Sequence, residues 1–81
     1  MSEIREKVFD LLEDITEYAG LRNNTELDLL DTNILDSLSF IILLERLDDE
    51  LGIEIQPTQV SPAVWRTPDS IAKYIEKQLN D

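Results

Sequence analysis

The chain reads as an all-α protein, a bundle of three main helices plus one short helix with a long first loop, and three observations predict this. Apolar residues recur at helical spacing in three separate stretches, around residues 4–19, 40–51 and 71–79. Two Gly and three Pro are too few for an all-β fold with many tight turns. A hydrophobic share of 42% is ample for a folded core. With 81 residues there is room for one core, so residues 1–81 are expected to form one domain.

The first helix is predicted from about Glu3 to Ala19, because Ile4, Val8, Leu11, Leu12, Ile15 and Ala19 fall on one helical face. Ser2 stands as its N-cap and Gly20 as its stop. From Leu21 to Leu35 the apolar residues Leu27, Leu29, Leu30, Ile34 and Leu35 fit no single period, so this stretch is a loop pinned to the core by side chains. Structureless connections of this length are uncommon in compact domains and are often functional.

The second helix starts at a clear signal. Asp36 provides a capping carboxylate, and Leu35 and Phe40 occupy the two positions of a hydrophobic staple. It continues to about Leu51 and stops at Gly52, with Phe40, Leu43, Leu44, Leu47 and Leu51 as its core stripe. Between Gln56 and Arg66, Pro57 and Pro62 leave room for a short helical turn or two. Thr67-Pro68 then opens the last helix, a capping hydroxyl followed by proline at the first helical position. Ile71, Ala72, Ile75 and Leu79 are its predicted buried face, with Tyr74 at the edge.

Composition narrows the function classes. The absence of Cys removes disulfides, thiolate nucleophiles and Cys-ligated metals, and the absence of His removes the usual general base and commonest metal ligand. Glu26, Asp28 and Asp31 suggest a calcium loop, but counting from Asp28 places Asn33 at position six and Ser39 at position twelve, where Gly and Glu are needed. No metal site is expected. Residues 1–20 carry charges throughout and lack the apolar stretch of an export signal, so a cytoplasmic location is the expectation.

The net charge is −11, and from Glu26 to Glu50 eight acids face Arg46 alone. Such a chain is repelled by nucleic acid and anionic membranes and attracted to basic protein surfaces. No nucleic-acid partner is expected, and the chain is expected to be a monomer.

Ser37 follows the cap directly, in a first helical turn where free N–H groups and the helix dipole favour an anion. Two readings stand at this point: a second capping residue, or a hydroxyl that carries a phosphodiester. Leu38, Ile41 and Ile42 form a second apolar set off the core stripe, followed on the same side by Glu45, Asp48 and Asp49. A helix apolar on two faces is either deeply buried or presents a binding surface. A serine nucleophile needs an adjacent base, and neither Lys73 nor Lys77 belongs to a Ser–Lys motif, so a serine modified by another enzyme fits better than a catalytic one.

The run Leu35-Asp36-Ser37-Leu38-Ser39, with the amphipathic helix before it, the leucine-containing loop and the acidic second helix, resembles the acyl carrier protein superfamily across essentially the whole chain. The resemblance implies an acyl-carrier-like bundle, no catalytic activity, and 4′-phosphopantetheine transferred from coenzyme A to Ser37 by a phosphopantetheinyl transferase. Cargo then rides as a thioester on the arm. Asp36, Leu38, Ile41, Ile42, Glu45 and Asp49 become the docking surface for basic partners.

Within the superfamily, Trp65-Arg66-Thr67-Pro68-Asp69 and the loop from Leu27 to Leu35 are similar to the D-alanyl carrier branch. This implies D-alanine destined for teichoic acids as cargo, and a D-alanine–carrier ligase and a membrane-bound acyltransferase complex as partners. Val64 and Ile42 depart from that pattern, where an acid and a polar residue are expected. The alternatives are an acyl carrier of fatty-acid or polyketide synthesis, a free-standing peptidyl carrier, or, outside the class, an unmodified acidic interaction domain. Trp65 is expected to pack between the short helix and the last helix.

Overall fold

In a computed structural model, residues 3–80 are described. Three α-helices, α1 (Glu3–Thr16), α2 (Ser37–Leu51) and α3 (Pro68–Asn80), are linked by irregular segments with short 3₁₀ turns at Leu21–Asn23, Pro57–Gln59 and Pro62–Trp65. α1 packs against both α2 and α3, more extensively against α3. The short helical turn or two expected between Gln56 and Arg66 are the two 3₁₀ turns Pro57–Gln59 and Pro62–Trp65, and Leu21–Asn23 adds a third inside the first loop. Gln56 and Ser61 each precede a proline and take extended backbone (ψ 136° and 154°), so the chain is forced straight before each turn and no continuous helix forms.

α1 ends three residues earlier than the apolar spacing predicts. The Thr16 hydroxyl donates to the Leu12 carbonyl at 2.6 Å, and Glu17 turns into the left-handed region at φ 56°. Ala19 is consequently exposed. Gly20, at φ 88°, opens the first 3₁₀ turn and does not stop α1. Ser2 lies outside the described residues. Val8, Phe9, Leu11 and Leu12 form the buried face of α1, and Phe9 joins it from outside the predicted stripe.

The first loop is held by its own leucines, as expected: Leu21 and Leu29 are fully buried and Leu35 nearly so. Its backbone is tied to the segment before α3, since Leu29 N–H donates to the Arg66 carbonyl at 2.6 Å and Asp69 N–H to the Thr25 carbonyl at 2.9 Å. Inside the loop the Asp28 carboxylate accepts from the Leu30 and Asp31 N–H groups at 3.1 and 2.8 Å. The Arg66 guanidinium reaches Asp28 at 2.9 Å, a second tie across the same junction.

α2 buries Leu43, Leu44 and Leu47, with Phe40 and Leu51 packed at the margin of the core. Gly52 ends it at φ 68°, and Ile53 and Ile55 beyond it turn inward and are buried. α3 buries Ile71, Ala72 and Ile75. Leu79 is 37% exposed, contrary to expectation. Periodicity assigns a residue to a face of a helix, but not how far along the helix the opposing surface extends. Thr67 caps α3, its hydroxyl accepting from Ser70 N–H at 3.1 Å.

Candidate functional site

The site is built at the start of α2. Asp36 holds extended backbone (φ −86°, ψ −177°), and its carboxylate accepts the Ser39 N–H at 2.8 Å while its carbonyl accepts the Phe40 N–H at 2.9 Å. The Ser39 backbone N–H, with the Ser39 hydroxyl second, holds the Asp36 carboxyl below its usual range. That fixes an ionised cap on the helix. Leu35 and Phe40 flank it as the staple, Leu35 buried and Phe40 half-buried. Ser37, the first helical residue, is therefore placed on a stiff turn, and it is exposed.

Beside Ser37 opens a cleft of about 240 Å³. Leu30 and Leu35 of the loop form one wall, and Val60, Pro62 and Trp65 form the other. Asp36, Ser37 and Phe40 of the α2 start complete the lining. No Lys or Arg lines it, so no side chain of the cleft offers Ser37 a base other than the carboxylate of Asp36, which is engaged with Ser39. Lys73 lies on α3 and pairs with Asp69 at 3.2 Å.

Trp65 is buried as expected. Its ring meets Phe40 edge-on at 5.0 Å between centroids and Tyr74 at 6.1 Å, so it joins α2 to α3 as well as closing its own turn. Its indole Nε1–H is buried and has no hydrogen-bond partner among the described residues. Neither the second wall of the cleft nor this donor was identified from the sequence. Val60 and Pro62 sit more than twenty positions from Ser37, and no local pattern connects them.

The second apolar set of α2 is on the surface. Leu38 is 69% exposed, Ile41 44% and Ile42 37%. Glu45, Asp48 and Asp49 are exposed beyond them. Positions 38, 41, 42, 45 and 49 share one helical face, and Ser37 stands at its head. Arg46, the one base of α2, is turned away to Asp14 of α1 at 2.9 Å and to Glu50 at 2.6 Å. No helix among the described residues is long and apolar enough to cross a membrane.

Comparison with known proteins agrees with this geometry. The family model described as the phosphopantetheine attachment site matches residues 6–75. The chain is similar to the D-alanyl carrier protein of Enterococcus faecalis, with 36% identity over 73 residues, 90% of this chain and 94% of that protein. It is also similar to the D-alanyl carrier protein of Bacillus cereus (strain B4264), with 31% identity over 77 residues, 95% of this chain and 98% of that one. Among solved structures, the holo acyl carrier protein of Nitrosomonas europaea superposes with a TM-score of 0.77 over 99% of this chain and 100% of that chain, at 19% identity, a likeness of fold. The chain belongs to the phosphopantetheine-attachment family of carrier proteins, non-catalytic proteins that hold cargo on a covalently bound phosphopantetheine group and are acted on by other enzymes.

Proposed function

We propose that residues 1–81 act as one carrier domain, that Ser37 is the attachment point of 4′-phosphopantetheine, and that the cargo is D-alanine held as a thioester. The observation that carries the attachment is Ser37 itself: an exposed hydroxyl at the first position of a capped helix, within Asp36-Ser37-Leu38, at the mouth of an apolar cleft. A phosphodiester there meets the positive end of the helix dipole and the first-turn N–H groups. The lining fits the group: its walls are apolar, and the Ser37 hydroxyl is exposed beside them. In the transfer the serine oxygen bonds to the phosphorus that carries the pantetheine, the bond to the adenosine bisphosphate of coenzyme A breaks, and the serine proton passes to a base of the transferase. The chain needs none of its own.

D-alanine as cargo is supported by the names of the similar proteins and by the way the Trp65-Arg66-Thr67-Pro68 run is used here. Trp65 fills the space between α2 and α3, Arg66 ties to Asp28, Thr67 caps α3 and Pro68 is buried at its first position. The misfits are benign on this reading. Val64 packs at the core margin, where an aliphatic side chain is at home, and Ile42 extends the exposed apolar face. The partners are a phosphopantetheinyl transferase, a D-alanine–carrier ligase and a membrane-bound acyltransferase complex that meets the chain from the cytoplasmic side. Asp36, Leu38, Ile41, Ile42, Glu45 and Asp49 present the docking face.

Incubation with coenzyme A, magnesium and a transferase is expected to add one phosphopantetheinyl mass, and Ser37→Ala is expected to abolish it. Unchanged labelling of Ser37→Ala would sink the assignment. The holo-protein is then offered to a D-alanine–carrier ligase with ATP and, in parallel, to malonyl and fatty-acyl loading enzymes. Loading by the second group and not by the first rejects D-alanine and leaves the carrier role standing.

A further inference from the structure

We infer that Arg66 is a positioning residue for Ser37: through Asp28 and the Leu29 backbone it seats the loop that leads into α2, and so fixes where the serine hydroxyl is presented to the enzyme that modifies it. This rests on Ser37 as the attachment point and adds what holds that point in place.

The loop before α2 folds on itself around Asp28. One carboxylate oxygen accepts the Leu30 and Asp31 N–H groups at 3.1 and 2.8 Å. The Asp28 carbonyl accepts the Thr32 hydroxyl at 2.6 Å, and the Leu30 carbonyl accepts the Asn33 N–H at 3.1 Å. Asn33 takes left-handed backbone at φ 59°, which asparagine tolerates better than most residues. Leu35 N–H then closes the loop on the Leu29 carbonyl at 3.0 Å. Two further bonds join this unit to Arg66. Leu29 N–H donates to the Arg66 carbonyl at 2.6 Å, and the Arg66 guanidinium donates to the second Asp28 carboxylate oxygen at 2.9 Å.

Ser37 is thereby held from both sides. Two residues before it, Leu35 is bonded to Leu29 and so to Arg66. Three residues after it, Phe40 meets the Trp65 ring edge-on at 5.0 Å. Trp65 and Arg66 are consecutive, so one short segment sets the position of the α2 start, while the body of α2 packs on α1.

Two other readings of Arg66 make different demands. As a stabilising ion pair it would matter little, because the Arg66 and Asp28 side chains are 51% and 35% exposed and exposed pairs are weak. A weak tie still selects one seating of a loop that its buried leucines already order. As a surface charge alone, its removal would make the chain more negative and speed encounter with a basic partner. Positioning demands the opposite sign.

The test compares Arg66→Gln and Asp28→Asn, alone and together, in the whole chain. Both remove the ion pair, and they shift the net charge in opposite directions. Asp28→Asn also keeps an oxygen for the Leu30 and Asp31 N–H groups. Amide hydrogen exchange is followed on the apo form. Transfer by a phosphopantetheinyl transferase with coenzyme A and magnesium is followed by mass, with the added group located on a peptide. Both single variants are expected to exchange faster at the Leu29 and Leu35 amides, with Leu47 and Ile75 as in the parent, since the opening is local. Both are expected to lower kcat for transfer on the order of threefold to tenfold, with KM near the parent value because the outer face of α2 is unaltered. The double variant is expected to be no slower than the slower single one, since both break the same clasp. Opposite effects of the two single variants on kcat/KM overturn the inference in favour of charge alone. Exchange quickened equally at Leu47 and Ile75 leaves a merely stabilising role and overturns it. Parent-like exchange at Leu35, or faster exchange with parent-like transfer, overturns it as well, and in each case the attachment at Ser37 stands. Mass added to the parent elsewhere than Ser37 overturns the attachment, and the inference with it.

Discussion

Two faces of α2 are built from the same kind of residue and do opposite things. Leu43 and Leu47 are fully buried and Leu44 is 9% exposed, whereas Leu38, Ile41 and Ile42 are 69%, 44% and 37% exposed. Side-chain chemistry does not separate the two sets; angular position around the helix does. The inward set is stabilised by the core in every folded molecule. The outward set gains less from folding, and its exposed apolar area is an aggregation liability unless a partner covers it. Its acidic neighbours Glu45, Asp48 and Asp49 are exposed, and on the proposed docking role they favour partners of opposite charge.

Paired charges sharpen the contrast. Arg5 joins Asp69 and Glu76, Arg22 joins Glu6, Asp10 and Glu13, Arg46 joins Asp14 and Glu50, and Arg66 joins Asp28. The arginines thus brace α1 to α3, α1 to the first loop, α1 to α2, and the loop to the α3 junction. Such surface pairs add little stability one by one. Their placement nonetheless leaves the outer face of α2 without a cation, so the acids there act outward.

The largest expected effect comes from exchanging a residue of the inward face. Leu47→Ala is expected to cost about 2–5 kcal/mol, because the core around a fully buried leucine relaxes only partly. Ile41→Ala on the opposite face is expected to stay within about 0.5 kcal/mol of the parent. Paired denaturant midpoints check both. Equal losses for the two variants break the two-face description.

Next in size is the effect of charge on the outward face. Glu45→Lys combined with Asp49→Lys is expected to lower the transferase kcat/KM on the order of tenfold at low ionic strength, by loss of electrostatic steering. Added salt is expected to narrow the difference from the parent. The denaturant midpoint should stay near the parent value, because both side chains are exposed. Kinetics indifferent to both charge and salt mean that docking is apolar or lies elsewhere on the chain.

Signals that act within a few residues were legible in the sequence. Asp36 reads as a cap because its carboxylate has a free N–H three residues on, and Gly52 and Thr67-Pro68 mark helix ends for equally local reasons. The end of α1 was not legible. Glu17 in left-handed backbone carries no compositional mark, and Ala19 continues the apolar spacing past the true terminus. Ser37 at the helix start and the second apolar face of α2 could be read from one helix. The cleft could not, because Leu30, Val60, Pro62 and Trp65 meet only through tertiary packing. The unpaired indole donor follows from that packing too, and Ile53 and Ile55 are buried in alternation with exposed Glu54 and Gln56, a pattern too short to assign from sequence.

The smallest effect belongs to Asp36, the cap at the head of α2. Its carboxyl titrates lower in the folded chain than its ordinary value of 3.8, chiefly through the Ser39 backbone N–H. A group depressed by folding contributes stability that is fully present above its unfolded pKa and is lost as pH falls through the folded one. The cap is therefore intact at pH 7 and at pH 5, and weakens below about pH 4. Glu13, Asp28 and Asp69 are depressed likewise, by Arg22, by the Asp31 N–H and by Arg5 respectively, so acid removes the cap and several braces in one window. Protonation also relieves the self-repulsion of a chain of net charge −11, which opposes that loss and keeps the net change small. Comparing each molecule with its own variant removes this shared background. The parent is expected to be more stable than Asp36→Asn at pH 7 and pH 5, with a smaller loss than that of Leu47→Ala, and the gap is expected to shrink below pH 4. Denaturant midpoints at pH 7, 5 and 3.5 test this. A gap that persists unchanged at pH 3.5 means that the capping oxygen acts without its charge, and the ionised cap is then not what stiffens the turn that presents Ser37.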